Sequence, residues 1–233
     1  MEEQKIYIIP TTISEHVTDV IPKAVEDILL NVKYIVSERA RTTRRYIKEL
    51  LPNIQISELT ILEIDKHKPK ESLPEFKEWL AKGFDIGIMS ESGMPCIADP
   101  GNIFVALAHQ QNKRVIPLTG PCSIMLALAA SGLNGQKFKF HGYLPLKDEP
   151  LNNKLKMIKG DLKNGETQIF IETPFRNKRI FDQLIRQIPK HIKLTIGMDL
   201  TGSEEFVKTK TIEQWKKNKP ELQKLPCIFL LGN

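Results

Sequence analysis

The chain has 233 residues and a formal net charge of +6, which suits one large domain or two of about 115 residues each. Its composition, 41% hydrophobic and 27% charged, is ordinary for a globular protein that needs no disulfide or metal to stabilise its core. No run approaches about 18 apolar residues, the start lacks a signal-peptide pattern, and the three cysteines are far apart. We therefore expect a cytoplasmic protein without a membrane span, disulfide framework or metal centre.

The charge is distributed unevenly along the chain. Residues 1–118 carry 15 basic and 17 acidic side chains, whereas residues 119–233 carry 19 and 11. The basic second half suits a polyanionic partner and, equally, a lysine-rich solvated surface.

Short apolar runs alternate with amphipathic segments in the first half. This pattern predicts, in chain order, strand 6–9, helix 22–30, strand 34–36, helix 43–51, a strand within 54–64, helix 72–82, strand 86–89, helix 103–110 and strand 115–118. Ser72 and Glu75 have the spacing of a capping box, and the basic stretch 65–70 is predicted as a connector. Such alternation is typical of a parallel sheet with helices on both faces.

The pattern changes after Leu118, where we place a domain boundary. We expect an N-terminal parallel-sheet α/β domain (residues 1–118) and a C-terminal mixed-sheet α/β domain (residues 119–233). The predicted elements of the second domain are helix 123–130, strands 138–144 and 167–172, helix 174–188, strands 194–198 and 206–211, a short helix capped by Thr211-x-x-Gln214, and strand 227–231. Helix 123–130 is apolar nearly all round, so we expect it to be buried on every side.

Three loops that follow predicted strands are the most suitable for binding a ligand, because open parallel sheets bind ligands at their carboxyl edge. They span residues 90–101, 117–124 and 169–176. Glycine and small residues in the first loop allow close backbone approach, and the second runs into a helix whose free N–H groups face the same edge. Each loop also has a purely structural interpretation. The first is a plain strand-to-helix turn, Cys122 in the second is a small buried side chain, and Glu172 in the third is a carboxylate that stabilises a helix start.

The first loop reads S-E-S-G-M-P-C-I-A-D-P-G and resembles the central motif of the tetrapyrrole methylase family. More narrowly, it resembles the motif S-D-A-G-T-P-x-I-x-D-P-G of the RsmI-type small-subunit rRNA cytidine 2′-O-ribose methyltransferases. Residues 6–12, 117–133, 138–145 and 171–176 resemble further motifs of that group, in the same order, so the resemblance covers almost the whole chain.

This resemblance implies a two-domain α/β enzyme, usually a homodimer, that binds S-adenosylmethionine in a cleft between its domains and methylates rRNA of the small ribosomal subunit. S-adenosylhomocysteine is the product, and no metal takes part. Typical members have a C-terminal helical extension, and we expect a short form without it. The cofactor-binding residues carried over by motif are Pro10, Ser92, Gly93, Met94, Ile97, Ser123, Ile124, Glu172 and Leu200.

A ribose hydroxyl is a poor nucleophile at neutral pH, so we expect a base or a charge-stabilising group. Glu91 and Glu38 are the candidates, with Arg41 as a clamp on phosphate or substrate. The alternative is that each of them is a surface or cap residue, which is the more frequent role of such residues. Glu91 and Arg39 stand where the group's S-D-A-G and E-D-T-R-x-T motifs have aspartate, and residues 14–20 depart from its G-N-L-x-D-I-T motif. These departures bear on substrate choice and turnover.

Four basic residues share one face of helix 43–51 and the turn before it, a face suited either to RNA phosphates or to solvent: Arg41, Arg44, Arg45 and Lys48. Two other functions stay open. One is methylation of a tetrapyrrole or another small anion, because such substrates are polycarboxylates. The other is a non-catalytic S-adenosylmethionine-binding protein, because the acidic positions have changed. The closeness of the second and third loops to the rRNA group favours RNA.

Overall fold

The computed structural model describes residues 3–65, 67–222 and 225–233; Lys66, within the predicted connector, lies outside the described residues. The chain divides into two compact units, Met1–Cys122 and Ser123–Asn233. This division follows Cys122, whereas the boundary expected from the sequence follows Leu118. The loop of residues 119–122 therefore belongs to the first unit.

The first unit is built on a five-stranded sheet in the order β3-β2-β4-β1-β5, in which every pairing is parallel. Its elements, in chain order, are β1 (Lys5–Ile9), α1 (Lys23–Leu29), β2 (Tyr34–Ser37), α2 (Ala40–Leu50), β3 (Thr60–Glu63), α3 (Leu73–Ala81), β4 (Ile86–Met89), α4 (Asn102–Gln110) and β5 (Arg114–Pro117). The predicted parallel α/β sheet is confirmed.

The central strand β1 divides its side chains between two cores, because successive residues of a strand point to opposite faces. Ile6 and Ile8 pack in a cluster with residues of α3 and α4, including Phe104. Tyr7 and Ile9 pack in a second cluster with residues of α1 and α2. Helices therefore cover both faces of this sheet, as predicted.

The start of α3 differs from the prediction. Ser72 ends a 3-10 helix, Pro69–Ser72, that leads directly into α3, and its backbone is already helical (φ −85°, ψ −7°). A capping residue needs an extended backbone to turn its hydroxyl towards the free N–H groups. The Ser72 hydroxyl instead donates to the carbonyl of Glu63 (3.1 Å), so the predicted capping box with Glu75 is wrong.

The second unit contains a mixed sheet in the order β6-β7-β10-β8-β9. Its elements are α5 (Ser123–Ser131), β6 (Phe138–Tyr143), α6 (Asp148–Leu162), β7 (Thr167–Glu172), α7 (Asn177–Gln187), β8 (Lys193–Met198), β9 (Phe206–Thr211), α8 (Ile212–Lys217) and β10 (Cys227–Gly232). β6 pairs with β7 in parallel, and the other pairings are antiparallel, so the predicted mixed sheet is confirmed. The capping box of Thr211 and Gln214 at the start of α8 is also confirmed.

Two helices of this unit depart from expectation. α6 was not predicted, although Leu151, Leu155 and Ile158 follow helical spacing and are fully buried. α5 packs on β8, β9 and β10 with one side only, so Met125 is 49% and Leu126 39% exposed. The expectation that this helix is buried on every side is wrong, because a helix that lies on one sheet buries a single face. Within the described part of the chain, no helix is long and apolar enough to cross a membrane.

Candidate functional site

The loops that follow β1 and β4 are joined at the carboxyl edge of the first sheet. The Thr11 N–H donates to the Gly93 carbonyl (3.0 Å), and the Gly93 N–H donates to the Thr12 carbonyl (3.1 Å). The Ser90 hydroxyl also donates to the Gly93 carbonyl (3.2 Å). Gly93 has φ +70°, a left-handed conformation that favours glycine. The glycine at this motif position therefore allows the two loops to lock together.

The loop that follows β5 packs directly on the loop after β1. A Cβ atom added to Gly120 would lie 2.2 Å from Pro10 Cγ and 2.3 Å from Pro10 Cβ, so no side chain fits at this position. The Pro10 carbonyl accepts a hydrogen bond from the Tyr46 hydroxyl of α2 (3.2 Å). Burial raises the pKa of Tyr46 above its ordinary value, which keeps this hydroxyl a donor. Three loops and one helix thus meet at the end of β1.

The rest of the glycine-proline loop has an unusual backbone. Cys96 and Ala98 adopt left-handed conformations (φ 67° and 65°), and the Asp99 carboxylate accepts hydrogen bonds from the N–H groups of Cys96 and Gly101 (2.7 Å each). Burial raises the pKa of Asp99 above its ordinary value, while these two N–H groups oppose the rise. Burial also raises the pKa of the Cys96 thiol to about 12, so this cysteine is not a nucleophile at neutral pH.

The predicted cofactor residues of this loop have different surroundings. The Ser92 hydroxyl donates to the Ile13 carbonyl (3.4 Å), which ties the loop again to the segment after β1. Met94 is half-buried and packs against the core on the α3 side of the sheet. Ile97 is 44% exposed, so its apolar side chain is available to a ligand.

A pocket lies beside these loops, at the carboxyl ends of β1 and β4 and along α2. Thr11, Thr43 and Tyr46 line it together with Glu91, whereas Glu38 and Arg41 are not among its lining residues. The Glu91 carboxylate lies 3.6 Å from the Arg39 guanidinium (Oε2 to Nε). The two positions at which the chain departs from the aspartates of the related motifs are therefore in contact with each other.

His16 and Glu49 also line this pocket, and sequence reasoning missed both. His16 has a left-handed backbone (φ 62°), and its Nδ1 lies 2.9 Å from Glu49 Oε1. The two residues are 33 positions apart, and no periodic pattern or motif joins them. The side chain of His16 is 69% exposed, so the pair forms the outer wall of the pocket.

The other first-unit candidates lie at the end of β2 and on α2. Glu38 directly follows β2 and is half-buried. Arg41 and Arg44 are exposed, and neither has an ion-pair partner within the described residues. Arg45, by contrast, lies 3.7 Å from Glu15. The structure thus leaves two arginines of the predicted basic face open to an external anion.

Glu172, the predicted acidic residue of the second unit, ends β7 and is 2% exposed. Its Oε1 accepts a hydrogen bond from the Thr173 N–H (2.8 Å), and its Oε2 lies 3.2 Å from Arg176 Nη2. Burial raises the pKa of this carboxyl above its ordinary value, while Thr173 and Arg176 oppose the rise. Arg176 also donates to the Leu144 carbonyl (2.9 Å), so this ion pair fixes the turn after β7 to the loop after β6. The E-x-x-x-R spacing was visible in the sequence, but the partnership was not predicted.

The remaining candidates of the second unit are mostly buried. Ser123 begins α5 and is half-buried, while Ile124 and Leu200 are only 6% and 5% exposed. Leu200 lies in the turn after β8, next to Thr201, which has φ 71°. The Thr201 hydroxyl is buried and has no hydrogen-bond partner within the described part of this unit.

No family model matches the chain. The ribosomal RNA small subunit methyltransferase I of Vibrio cholerae serotype O1 is 32% identical over 202 residues, which are 87% of this chain and 67% of that protein. The protein of the same name from Buchnera aphidicola subsp. Schizaphis graminum is 32% identical over 216 residues, 91% of this chain and 72% of that protein. The chain belongs to the ribosomal RNA small subunit methyltransferase I family. The motif resemblance is thereby confirmed, and the chain is a methyltransferase.

Solved structures agree with the fold of this methyltransferase. A diphthine synthase aligns with 99% of this chain and 90% of its own, with a TM-score of 0.68 and 13% identity. The uroporphyrin-III-C-methyltransferase of Thermus thermophilus aligns with 98% of this chain and 92% of its own, with a TM-score of 0.56 and 14% identity. The tetrapyrrole methylase-like fold predicted for this ribosomal RNA small subunit methyltransferase I family member is confirmed.

Proposed function

We propose that the chain uses S-adenosylmethionine to methylate the 2′-hydroxyl of a ribose in the RNA of the small ribosomal subunit. The observation that carries the proposal is the 32% identity to ribosomal RNA small subunit methyltransferase I over 91% of the chain. Tetrapyrrole enzymes are similar to the chain in fold, at 14% identity for the uroporphyrin-III-C-methyltransferase. The identities therefore favour an RNA substrate over a tetrapyrrole.

The carboxyl edge of the first sheet fits a cofactor that combines an adenine, a ribose and an amino acid. Gly93 and Gly120 let the loops at this edge pack closely against one another, and the buried Ser37 hydroxyl at the end of β2 has no hydrogen-bond partner within the described residues. Met94 and the exposed Ile97 provide apolar surface for an adenine. When bound, S-adenosylmethionine supplies an activated methyl group on a cationic sulfur. The full proposed set of cofactor-binding residues is Pro10, Ser92, Gly93, Met94, Ile97, Ser123, Ile124, Glu172 and Leu200.

Glu91 is the proposed catalytic base. It lines the pocket and lies 3.6 Å from the Arg39 guanidinium. In this role, Glu91 would accept the proton that the ribose hydroxyl loses as its oxygen forms the bond to the methyl carbon. The bond between that carbon and the cofactor sulfur would break, with S-adenosylhomocysteine as the leaving group. Glu38, at the end of the neighbouring strand β2, is the second candidate for the base. Arg41 binds substrate phosphate from the first turn of α2.

The test of the proposed function uses S-adenosylmethionine with a labelled methyl group and three acceptors: unmethylated small ribosomal subunits, their rRNA transcribed in vitro, and uroporphyrinogen. We expect label in the rRNA, mapped to a ribose 2′-oxygen. The Glu91→Gln variant should bind the cofactor normally and lose about 10²- to 10⁴-fold in kcat.

The rival functions predict different results in the same assay. Label in uroporphyrinogen alone would contradict the RNA substrate. Calorimetric binding of S-adenosylmethionine without turnover on any acceptor would favour the non-catalytic function. We also propose that the chain forms a homodimer, as the family resemblance implies, and sedimentation of the wild-type chain tests this by measuring its molar mass.

A further inference from the structure

The turn after β7 presents a large aromatic side chain to solvent. Phe175 is 89% exposed, whereas Phe170, Phe181 and Phe229 of the same unit are at most 2% exposed. Burying a phenylalanine side chain stabilises a fold by about 1.5–3 kcal/mol relative to leaving it exposed. The exposed ring of Phe175 therefore adds no such stability to the fold. Its exposure is the first sign of a binding role.

The turn that carries Phe175 is firmly anchored. The neighbouring Arg176 donates to the carbonyls of Leu144 and Pro145 (2.9 and 3.2 Å) and forms the ion pair with Glu172. The Asn177 side-chain amide donates to the Leu225 carbonyl (2.7 Å). The backbone of this turn therefore loses little conformational entropy when a partner binds, which is a property of a preorganised site.

The ring borders an open depression of about 500 Å³ along α7, which is rich in cations. The other residues that line it are Lys178, Arg179, Asp182, Gln183 and Arg186. The one acid among them, Asp182, lies 3.2 Å from Lys219. Arg179 forms an ion pair with Asp148 (2.8 Å), whereas Lys178 and Arg186 are exposed and have no ion pair within the described part of the chain. The depression therefore has a net positive charge that an anionic partner can neutralise.

An exposed aromatic face beside free cations matches the chemistry of single-stranded nucleic acid. Bases stack on aromatic rings, and phosphates pair with lysine and arginine. We propose that Phe175 and the cations of α7 bind an unpaired nucleotide of the RNA, with the base on the ring and the phosphates at Lys178 and Arg186. This inference rests on the proposed function and adds to it a specific subsite. Residues 171–176 resemble the motif Y-E-S-x-H-R of the RsmI-type group, which has histidine where this chain has Phe175.

The test measures binding of a single-stranded oligoribonucleotide from small-subunit rRNA, and of the same sequence as a duplex, to four variants. Phe175→Ala and Phe175→Leu should each weaken single-strand binding about 5- to 150-fold, since neither offers an aromatic face, and should change duplex binding little. Phe175→Trp should keep the wild-type affinity. Leu30→Ala removes another large side chain, 55% exposed and in the first unit, and should have no effect. All four changes are at exposed positions, so their melting temperatures should equal that of the wild type.

A spectroscopic measurement separates stacking from simple contact. An oligonucleotide with 2-aminopurine at successive positions should show a position-dependent change in fluorescence with the wild type and the Trp variant, and no such change with the Ala or Leu variant. Wild-type affinity in Phe175→Leu would show that stacking is not involved and would overturn the proposal. Dissociation of a dimer in Phe175→Ala would also overturn it, because the surface would then join two copies of the chain. If the wild type neither binds nor methylates rRNA, the proposed function itself fails, which is a distinct result.

Discussion

Replacing Gly120 by alanine tests whether the loops at the carboxyl edge of the first sheet pack as described. The added Cβ would lie 2.2 Å from Pro10 Cγ, whereas non-bonded carbon atoms prefer about 3.5–4.0 Å, so the two loops must separate by more than about 1 Å. Pro10 is buried, and its ring cannot rotate away as a flexible side chain would. Overpacking of this kind costs about 1–3 kcal/mol. The melting temperature should fall by about 3–15 °C.

Scanning calorimetry of Gly120→Ala measures the stability, and titration calorimetry measures the dissociation constant for S-adenosylmethionine. We expect that constant to rise about tenfold or more, because a displacement of about 1 Å moves the loops proposed to bind the cofactor. Gly135→Ala is the matched control, since its added Cβ meets nothing within 4 Å, and it should change the stability by less than about 0.5 kcal/mol. If Gly120→Ala melts and binds S-adenosylmethionine like the wild type, the proposed loop packing is refuted.

Three further changes test the charged groups. Arg39→Ala should cost less than about 1 kcal/mol of stability in urea titrations, because its partner Glu91 is also partly exposed; a larger loss would contradict this reasoning. Burial raises the pKa of Glu172, so the folded chain holds that proton more tightly than the unfolded chain and loses stability as the pH rises through the raised pKa. Glu172→Gln removes this loss, so the melting temperature of the variant should rise relative to that of the wild type between about pH 4 and pH 7. A difference in melting temperature that does not change with pH would contradict this reasoning. Replacing Arg41 and Arg44 by alanine should make the plot of log binding constant against log salt concentration less steep, by about 0.7–0.9 for each phosphate that the variant no longer neutralises. An unchanged slope would exclude a role for these arginines in binding phosphate.

The capping-box motif shows how local pattern and tertiary context share control of a helix start. Ser72-x-x-Glu75 and Thr211-x-x-Gln214 have the same spacing. Thr211 has an extended backbone and forms the box, whereas Ser72 lies at the end of a 3-10 helix that continues into α3. The path of the chain before the helix, which the four-residue motif does not contain, decides between the two outcomes.

The helices of the second unit show a similar division. The apolar spacing of α6 is present in the sequence, and its first turn, with Asp148, Glu149 and Pro150, is typical of a helix start, so this helix was predictable. The apolar character of α5 is equally clear, yet the number of faces that become buried depends on how many layers cover the helix. Periodicity predicts the side of a helix that can be buried and leaves open how much of the remainder is covered.

The candidate site also has features that the sequence predicts and features that only the tertiary fold determines. Glycine-rich loops at strand ends, and hence Gly93 and Gly120, were predictable because parallel sheets bind ligands at one edge. The contact of Arg39 with Glu91 was not, since it requires that β2 and β4 are neighbours in the sheet. The left-handed backbone of Cys96 and Ala98 was not predictable either, because L residues rarely adopt it and nothing local demands it.

The strand order of the first sheet also sets when this unit can fold during translation. β1 pairs with β4 and β5, so this strand has both of its neighbours only after residues up to Pro117 have left the ribosome. At about 5–20 residues per second, this interval lasts roughly 5–20 s. During this interval, backbone N–H and C=O groups of residues 6–9 lack a partner strand. Such an unpaired strand edge is a template for aggregation. The first sheet can therefore be completed only after about half of the chain has been synthesised.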